Sequence, residues 1–338
     1  MAKWYIDDGS QSDVVLSTRI RLARNLKGFP FPNKMNADDA KRVIDTVEAA
    51  LEEMNYTFTK IDLPAMTEEQ RRKLVEERYI SPAFASSKLP CAAYISEDEN
   101  VSIMVNEEDH IRIQCIYAGF EDKKAYDLIE KVDGYLAERL DYAVHEKYGY
   151  LTSCLTNVGT GMRLSYMVRL PAIAMSGASE SVFATIGKLG VTVRGMYGEG
   201  SKSTGHIFQL SNQTTLGRRE SEIVSELGEI INNVISKERE LREALFEKNG
   251  TALEDRIMRS WAILSNARIL QSQEMIQRIS DVSLGISLGI IKNIDSKDIN
   301  AIMITASPAH IIANYETNEA VERDVIRARI VREAFQRR

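Results

Sequence analysis

Residues 91–116 read CAAYISEDENVSIMVNEEDHIRIQCI and contain three short segments rich in β-branched and apolar residues. The acidic turn EDEN separates residues 91–96 from residues 101–105, and the third segment, 110–116, alternates apolar and polar residues. Alternation with a period of two is typical of strands, and turns this short join antiparallel strands. The stretch therefore predicts an antiparallel β-meander at the centre of the fold.

Amphipathic helices are expected on both sides of the meander. The first has Asn36 as its N-cap and an apolar stripe on one face. The stripe consists of Ala40, Val43, Ile44, Val47, Leu51 and Met54. A second helix opens with Thr67 and Gln70 in a capping-box pattern and runs to about Tyr79. A long third helix is predicted after the meander, from about Asp122 to Lys147.

The chain changes character in its second half. A loop-like segment at 151–163 and a strand at 190–195 precede the glycine-rich GMYGEGSKSTG and a further strand in HIFQLSN. From about Glu220 the pattern is almost wholly helical, and KNGT at 248–251 indicates a turn. We therefore expect an α+β domain at residues 1–248 and an all-helical domain at residues 249–338.

The composition is that of an ordinary globular protein of 338 residues, with 44% hydrophobic and 27% charged residues. The net charge of −6 gives no global positive field for nucleic acid. Three cysteines without a CxxC pair, and four histidines without metal-ligand spacing, argue against disulfide or metal sites. The N-terminus lacks a signal-peptide pattern, and the apolar stretch Leu284 to Ile291 is too short to span a bilayer. We expect a soluble cytoplasmic protein that binds neither nucleic acid nor membrane.

Arginines recur in polar or glycine-bearing segments. They are Arg19, Arg21 and Arg24 in STRIRLARN, Arg112 in NEEDHIRI, Arg163 in NVGTGMR, and Arg194 in VRGMYGEG. Arg19 and Arg21 are two apart, so on a strand both point to one face. The planar fork of arginine suits phosphate oxygens. Taken singly these are ordinary surface arginines, but four such segments together favour an anion site.

Carboxylates and a cysteine accompany these arginines. The acidic turn Glu107–Asp109 is weak evidence alone, because acidic turns are usually solvated and inert. Glu199 lies in a loop with four glycines, which can close over a ligand. That loop is not a P-loop, since Lys202 comes one position late and a strand follows. Cys154 is either a small buried hydrophobe or a thiolate facing a cationic substrate.

Four segments resemble the phosphagen (guanidino) kinase family in order and separation: STRIRLARNLKGFPFP, VNEEDHIRIQ, CLTNVGTGMR and VRGMYGEG. The resemblance implies an antiparallel sheet flanked by helices, and a phosphotransferase that uses ATP and Mg²⁺. The arginines that match the family's phosphate-holding residues are Arg19, Arg21, Arg112, Arg163 and Arg194. Glu108 and Glu199 match the carboxylates that hold the guanidinium, and Cys154 matches the active-site cysteine.

The chain departs from the small-molecule kinases of that family. Only a short run precedes Ser17, where they carry a helical lid domain, and Met167 stands where many have an adenine-contacting histidine. Residues 251–338 are foreign to them and resemble the C-terminal part of bacterial protein-arginine kinases. There, ERDVIRA is similar to an RDxxRA phosphoarginine-binding motif. The matching residues are Arg323, Asp324, Arg327 and Ala328.

This second resemblance implies a kinase that phosphorylates arginine side chains of proteins and marks them for quality control, degradation and heat-shock regulation. It implies an activator protein and a Clp-type unfoldase-protease as partners, and leaves a homodimer open. We expect Glu108 to be the base, Glu199 to align the guanidinium, and Cys154 to orient it without attacking. Two alternatives are a kinase for free arginine or another small guanidine, and a non-catalytic phosphoarginine-binding adaptor.

Overall fold

The structure is a computed structural model that describes residues 3–195 and 204–336. Its strands are β1 (Val15–Arg24), β2 (Phe58–Ile61), β3 (Ala92–Ser96), β4 (Val101–Val105), β5 (Ile111–Ala118), β6 (Val144–His145), β7 (Gly149–Tyr150), β8 (Met162–Arg169), β9 (Val191–Gly195) and β10 (Ile207–Asn212). Among the described residues, eight of them form one antiparallel sheet in the order β2-β3-β4-β5-β1-β8-β10-β9, and β6 pairs with β7. The meander predicted at 91–116 is confirmed as β3, β4 and β5.

The helices are α1 (Ala37–Glu52), α2 (Glu68–Glu76), α3 (Pro82–Ala85), α4 (Asp122–Ala137), α5 (Pro171–Met175), α6 (Ser179–Lys188), α7 (Glu220–Asn266), α8 (Ser272–Ser287), α9 (Ser296–Thr305), α10 (Pro308–Tyr315) and α11 (Ala320–Gln336). The predicted caps are confirmed. The Asn36 side chain accepts N–H groups at the start of α1, and Thr67 and Gln70 form a capping box on α2. Across the described ranges, no helix has both the length and the apolar character that a membrane crossing requires.

The helix α4 is shorter than its amphipathic pattern predicts, because it ends at Ala137 rather than near Lys147. Beyond it, the backbone N–H of Ala143 donates to the carbonyl of Asn25 at 2.7 Å, and the chain enters the β6–β7 hairpin. Residues 142–145 read YAVH, and aromatic and β-branched side chains favour extended backbone. Pairing with the segment that follows β1 therefore replaces the last predicted helical turns.

The turn predicted at 248–251 is instead a kink inside α7, where Asn249 has φ −138° and ψ 33°. The helical chain breaks later, between α7 and α8, where the N–H of Leu270 donates to the carbonyl of Asp324 at 3.1 Å. This long-range contact ties the break to α11. The division of the chain into domains near residue 248 stays a prediction.

The two faces of the sheet differ in chemistry, as side-chain alternation requires. Ile20 and Leu22 of β1, Ile113 of β5 and Leu164 of β8 lie buried on one face, in the core that α1, α4 and α7 complete. Their sequence neighbours lie on the other face, which is largely polar around β1. This polar face is the floor of the candidate site.

The C-terminal helices cover one end of the polar face. Met167 of β8 and Ile207 of β10 belong to the same apolar cluster as Met275 and Ile276 of α8 and Met303 of α9. The sheet and the C-terminal helices therefore share a core, and the polar face beside this core stays open.

Two polar side chains, those of Arg169 and Glu76, hold the C-terminal helices in place. Buried Arg169, at the end of β8, donates to the Ser283 hydroxyl at 2.6 Å and to Asn300 Oδ1 at 3.1 Å. Burial lowers the pKa of this arginine to about 9. Glu76, at the end of α2, accepts the backbone N–H of Ala309 at 3.0 Å, one of the groups that the start of α10 leaves unpaired.

Candidate active site

Strands β1, β5, β8 and β9 place arginines on the polar face. Residues directly opposite in antiparallel strands share a face. Arg21 lies opposite Arg163, and Arg112 lies opposite Ala23, two residues further along β1. We define the arginine row as Arg19, Arg21, Arg112, Arg163 and Arg194, each of which lines one or both of two adjoining cavities. The structure therefore brings together the five arginines that the sequence singles out for phosphate binding.

The charged forms of Arg19 and Arg21 are electrostatically unfavourable in this structure. Burial, followed by the charges of Arg78, Arg112 and Arg163, lowers the pKa of Arg19 to about 9. Burial and the neighbouring charge of Arg19 lower the pKa of Arg21 well below its ordinary value. Like charges held together in a partly desolvated site repel one another, and a bound polyanion offsets that repulsion. The row is therefore suited to a triphosphate.

The acidic turn before β5 is not the solvated loop that acidic turns usually form. The Glu107 side chain is only 5% exposed, and it accepts hydrogen bonds from the Ser81 hydroxyl at 2.6 Å and from Arg112 at 2.8 Å. The Glu108 side chain is 45% exposed and pairs with the same Arg112 at 3.0 Å. Glu107 therefore holds the turn and the arginine in place, while Glu108 presents a carboxylate to solvent.

A buried hydrogen-bond network aligns three of the motifs. Asp109, which is fully buried, accepts from the Asn25 side chain and from the backbone N–H of Ser153, each at 2.6 Å. Gly161 has φ +65°, and a Cβ there would lie 2.6 Å from the carbonyl oxygen of Ala23. Only glycine allows the loop before β8 to lie this close to β1, which brings the Cys154 loop alongside the row.

Cys154 lines a cleft of about 430 Å³ together with Glu108 and four arginines of the row. Its thiol is free and partly exposed, and Sγ lies 3.0 Å from the hydroxyl of Thr156. The interpretation of Cys154 as a buried hydrophobe is therefore wrong. A thiol, a carboxylate and cationic side chains meet in one cleft, which we call the acceptor cleft.

A second cavity of about 650 Å³ adjoins the acceptor cleft and shares Arg21, Arg112 and Arg194 with it. It lies between the polar face and the C-terminal helices. Among residues 3–195 and 204–336, no group of three or more His, Cys, Asp or Glu side chains is placed to hold a metal ion.

Two other predicted residues stand apart from the row. Glu199 lies outside the described residues. Arg24 points to the helix-covered face, where it pairs with Asp133 at 2.6 Å and Glu220 at 3.3 Å and stacks over the Tyr150 ring. Burial alone would lower the pKa of Arg24, but these neighbours more than compensate and raise it. Arg24 therefore stabilises the fold and takes no part in the arginine row.

The structure adds polar residues to the site that the sequence did not indicate. Arg78 follows α2 with φ +70° and lines the second cavity, where its charge acts on Arg19. Gln114 donates to the Arg78 carbonyl at 2.6 Å, and Gln209 accepts from Arg19 at 3.2 Å. Met167 lies opposite Gln209 and is buried. The pattern around Arg78 reads as helix, so no local signal marks it as a site residue.

The RDxxRA segment on α11 is engaged in internal contacts. Arg327 is buried and donates to the carbonyls of Ala306 at 2.9 Å and Leu270 at 3.0 Å. It also pairs with Asp324. Arg323 is half-buried one turn earlier. The binding of phosphoarginine by this segment stays a prediction.

Two models of known protein families match this chain. The ATP:guanido phosphotransferase C-terminal catalytic domain matches residues 40–241, and the protein-arginine kinase McsB C-terminal domain matches residues 250–338. The chain is 43% identical over 336 residues to the protein-arginine kinase of Halalkalibacterium halodurans, covering 98% of this chain and 94% of that one. It is also 43% identical to that of Moorella thermoacetica over 338 residues, covering 98% and 97%.

Solved structures agree on the fold. Lombricine kinase superposes with a TM-score of 0.62 at 24% identity, over 69% of this chain and 68% of that chain. A duplicated taurocyamine kinase from Schistosoma mansoni superposes with a TM-score of 0.63 at 24% identity, over 78% of this chain and 38% of that chain.

The class that follows is an ATP:guanido phosphotransferase, an enzyme that uses ATP. Within that class, the chain belongs to the protein-arginine kinase family. The predicted fold class and enzyme class are confirmed.

Proposed function

We propose that the chain transfers the γ-phosphate of ATP to arginine side chains of proteins. The triphosphate binds the arginine row, and the acceptor guanidinium enters beside Glu108 and Cys154. The adjacency of a cationic row and a half-exposed carboxylate in one cleft supports this most directly. A polyphosphate and a guanidinium have the complementary charges, so both reactants can bind side by side.

The carboxylates overcome the weak nucleophilicity of a guanidinium, whose ordinary pKa is above about 12. One nitrogen attacks the γ-phosphorus, the bond to the β–γ bridging oxygen breaks, and ADP leaves. We assign Glu108 as the base that accepts the nitrogen's proton, and Glu199 as the aligning carboxylate. Glu108 pairs with Arg112 at 3.0 Å before substrate binds. A triphosphate on Arg112 competes with that pair and frees Glu108 for the acceptor.

We assign Mg²⁺ to the triphosphate oxygens rather than to a protein cage. Arginine nitrogens bind no cation, and Glu108 is paired with Arg112, so the described part of the cleft fits a cation that arrives with the nucleotide. When bound, Mg²⁺ neutralises charge on the β- and γ-phosphates. Arg19, Arg21 and Arg163 supply the remaining positive charge and fix the orientation of the phosphates.

Protein substrates, rather than free arginine, are favoured by the relatives and by the open rim of the cleft. Glu108 is 45% exposed, and Leu155, beside Cys154, is 86% exposed. The test is incubation with Mg·ATP and either an unfolded model protein or free arginine. We expect acid-labile, base-stable phosphate on arginines of the protein, identified by mass spectrometry. Faster phosphorylation of free arginine than of the protein would contradict the proposal.

Replacing Cys154 with alanine should lower kcat without abolishing it. A thiol that only orients the guanidinium contributes binding geometry, whereas a covalent nucleophile is indispensable. We expect a decrease of roughly 10-fold to 100-fold. Cys91→Ala, at a buried cysteine outside the cleft, is the matched control and should keep its kcat. Isolation of a phosphocysteine intermediate would show that the assignment is wrong.

We propose the RDxxRA segment as a second, non-catalytic phosphoarginine site. Arg323 and Asp324 offer a cation and a carboxylate that suit the two ends of phosphoarginine. Arg327 instead stabilises this region. Its removal would leave the buried carbonyls of Ala306 and Leu270 without a hydrogen-bond donor.

Arg327→Ala should therefore destabilise the protein by about 2–4 kcal/mol. Arg323→Ala, at a half-buried position, should stay within about 0.5 kcal/mol of wild type. Urea denaturation measures the stability of these two variants. Calorimetry should show weaker phosphoarginine binding in Arg323→Ala and Asp324→Asn than in wild type. Unchanged binding in both of these variants would contradict the proposed site.

The cellular role is proposed from the family alone. We infer that phosphorylated proteins are directed to a Clp-type unfoldase-protease, and that an activator protein and stress regulation control the kinase. A cytoplasmic location, a homodimer, and the boundary near residue 248 between catalytic and C-terminal domains belong to the same proposal.

A further inference from the structure

We propose that Leu155 and Leu216, which we call the leucine rim, form an apolar contact surface for the residues that flank the acceptor arginine in a protein substrate. The proposal rests on the proposed function and narrows its substrate class to extended segments with an apolar residue beside the arginine. Large apolar side chains are most often buried in folded proteins, so unfolded segments present them more readily.

Leu155 lies in the turn that carries the thiol of the acceptor cleft. Cys154 and Thr156, on either side of it, line the cleft, whereas Leu155 is 86% exposed. The backbone of this turn is held by hydrogen bonds. The N–H of Asn157 donates to the carbonyl of Cys154 at 3.0 Å, and the Thr152 hydroxyl donates to the same carbonyl at 2.7 Å. A rigid turn therefore holds an apolar side chain in water at the mouth of the cleft.

Leu216 lies beside the same turn, in the loop that follows β10. The residue before it, Thr215, donates its hydroxyl to the carbonyl of Thr156 at 3.0 Å, one residue after Leu155. A Cβ on Gly159 would lie 2.7 Å from the Cα of Leu216, so the two backbone segments are in direct contact. Leu216 is 53% exposed. Two exposed leucines therefore flank one turn at the acceptor cleft.

The occupant that this position favours is the chain that carries the acceptor arginine. Its guanidinium enters beside Glu108 and Cys154, so the residues next to that arginine must cross the rim of the cleft. Consecutive Cα atoms lie about 3.8 Å apart, which keeps these residues close to the rim. An apolar residue that contacts Leu155 removes apolar surface of both side chains from water. Free arginine has no flanking residues and gains nothing from the leucine rim.

The test compares two peptides with a single arginine, flanked by leucines in one and by asparagines of similar size in the other. We expect wild type to have a KM about fivefold lower for the leucine peptide, with similar kcat values, because the contact acts in binding. In Leu155→Asn this preference should fall below about twofold, and in Leu216→Asn to about threefold. Initial rates with Mg·ATP measure both constants.

Leu189→Asn is the matched control. Leu189 is 61% exposed, and it lines neither the acceptor cleft nor the second cavity. The same chemical change should therefore keep the preference of wild type for the leucine peptide. All three leucines are exposed, so the variants should fold as wild type does, which thermal unfolding checks.

A wild-type preference below about twofold, or an unchanged preference in Leu155→Asn, would overturn the proposal. Calorimetry of the peptides in the presence of ADP should show the same preference of about fivefold in Kd, without phosphoryl transfer. The proposed function fails instead if wild type leaves protein arginines unphosphorylated. The preference in Kd can persist in that case, so the two failures are distinguishable.

Discussion

Glu108→Gln is expected to lower kcat for protein-arginine phosphorylation on the order of 10²- to 10³-fold. Glutamine keeps the size of the side chain but cannot accept a proton, and it offers no charge to the acceptor guanidinium. Stability should stay within about 0.5 kcal/mol of wild type, because the side chain is 45% exposed and its partner Arg112 keeps Glu107.

The matched control is Glu97→Gln in the β3–β4 turn. That turn lies at the opposite end of the meander and Glu97 is exposed, so the same chemical change should leave kcat unaffected. Initial rates with a model protein substrate measure kcat, and ADP binding checks that the nucleotide site is intact. A kcat of Glu108→Gln within a few-fold of the wild-type value would show that Glu108 is not the base.

Local sequence accounts well for the elements that depend on local physics. The meander follows from alternation over 91–116, and the starts of α1 and α2 follow from the caps at Asn36 and Thr67. The shared face of Arg19 and Arg21 follows from a period of two. Each of these is decided within a few residues of chain.

Features decided by distant contacts were not predictable in this way. The helix α4 ends early because the chain after it pairs with residues that follow β1. The alignment of Arg163 and Arg112 with the row depends on strand register, which the ordered motifs indicate only through family resemblance. Asp109 looks like a surface acid, but Asn25 and the backbone of Ser153 bury it.

Motif order carries more functional information in this chain than composition does. Composition excludes broad classes of protein, and the arginines alone predict only an anion site. The family resemblance implies roles for Glu108 and Cys154, and both residues line one cleft. Arg78 lines the second cavity, although nothing in its local sequence distinguishes it from a helical surface arginine.

Arg21→Met is expected to abolish most activity and at the same time to stabilise the unliganded protein. Removing one charged donor to a phosphoryl group typically lowers the rate on the order of 10²-fold or more. Burial and the charges of neighbouring arginines lower the pKa of Arg21, so its protonated form is disfavoured in the folded state. A basic group whose pKa is lower in the folded than in the unfolded chain destabilises the fold. This effect is present at any pH below the pKa that the group has in the unfolded chain.

The charge of Glu107 compensates Arg21 only in part, because burial and the neighbouring arginines outweigh it. The Nε of Arg21 is buried and has no hydrogen-bond partner within the described residues. Methionine is similar in length and uncharged, and exchanging a poorly compensated buried ion for an apolar side chain is often stabilising by about 1–4 kcal/mol. We expect the Tm of unliganded Arg21→Met to rise. The increase in Tm that ADP gives wild type should shrink in the variant, as the proposed binding of the phosphates to the row requires.

Arg24→Met is the matched control, three residues further along β1. Arg24 forms ion pairs with Asp133 at 2.6 Å and Glu220 at 3.3 Å on the helix-covered face. Its removal leaves a buried carboxylate unpaired and should destabilise the protein by about 3–5 kcal/mol. The same substitution should therefore shift Tm in opposite directions at the two positions. A fall in Tm for Arg21→Met comparable to that for Arg24→Met would contradict this prediction. It would mean that Arg21 stabilises the fold, as Arg24 does, and that its charge is not a destabilising one kept for a phosphate ligand.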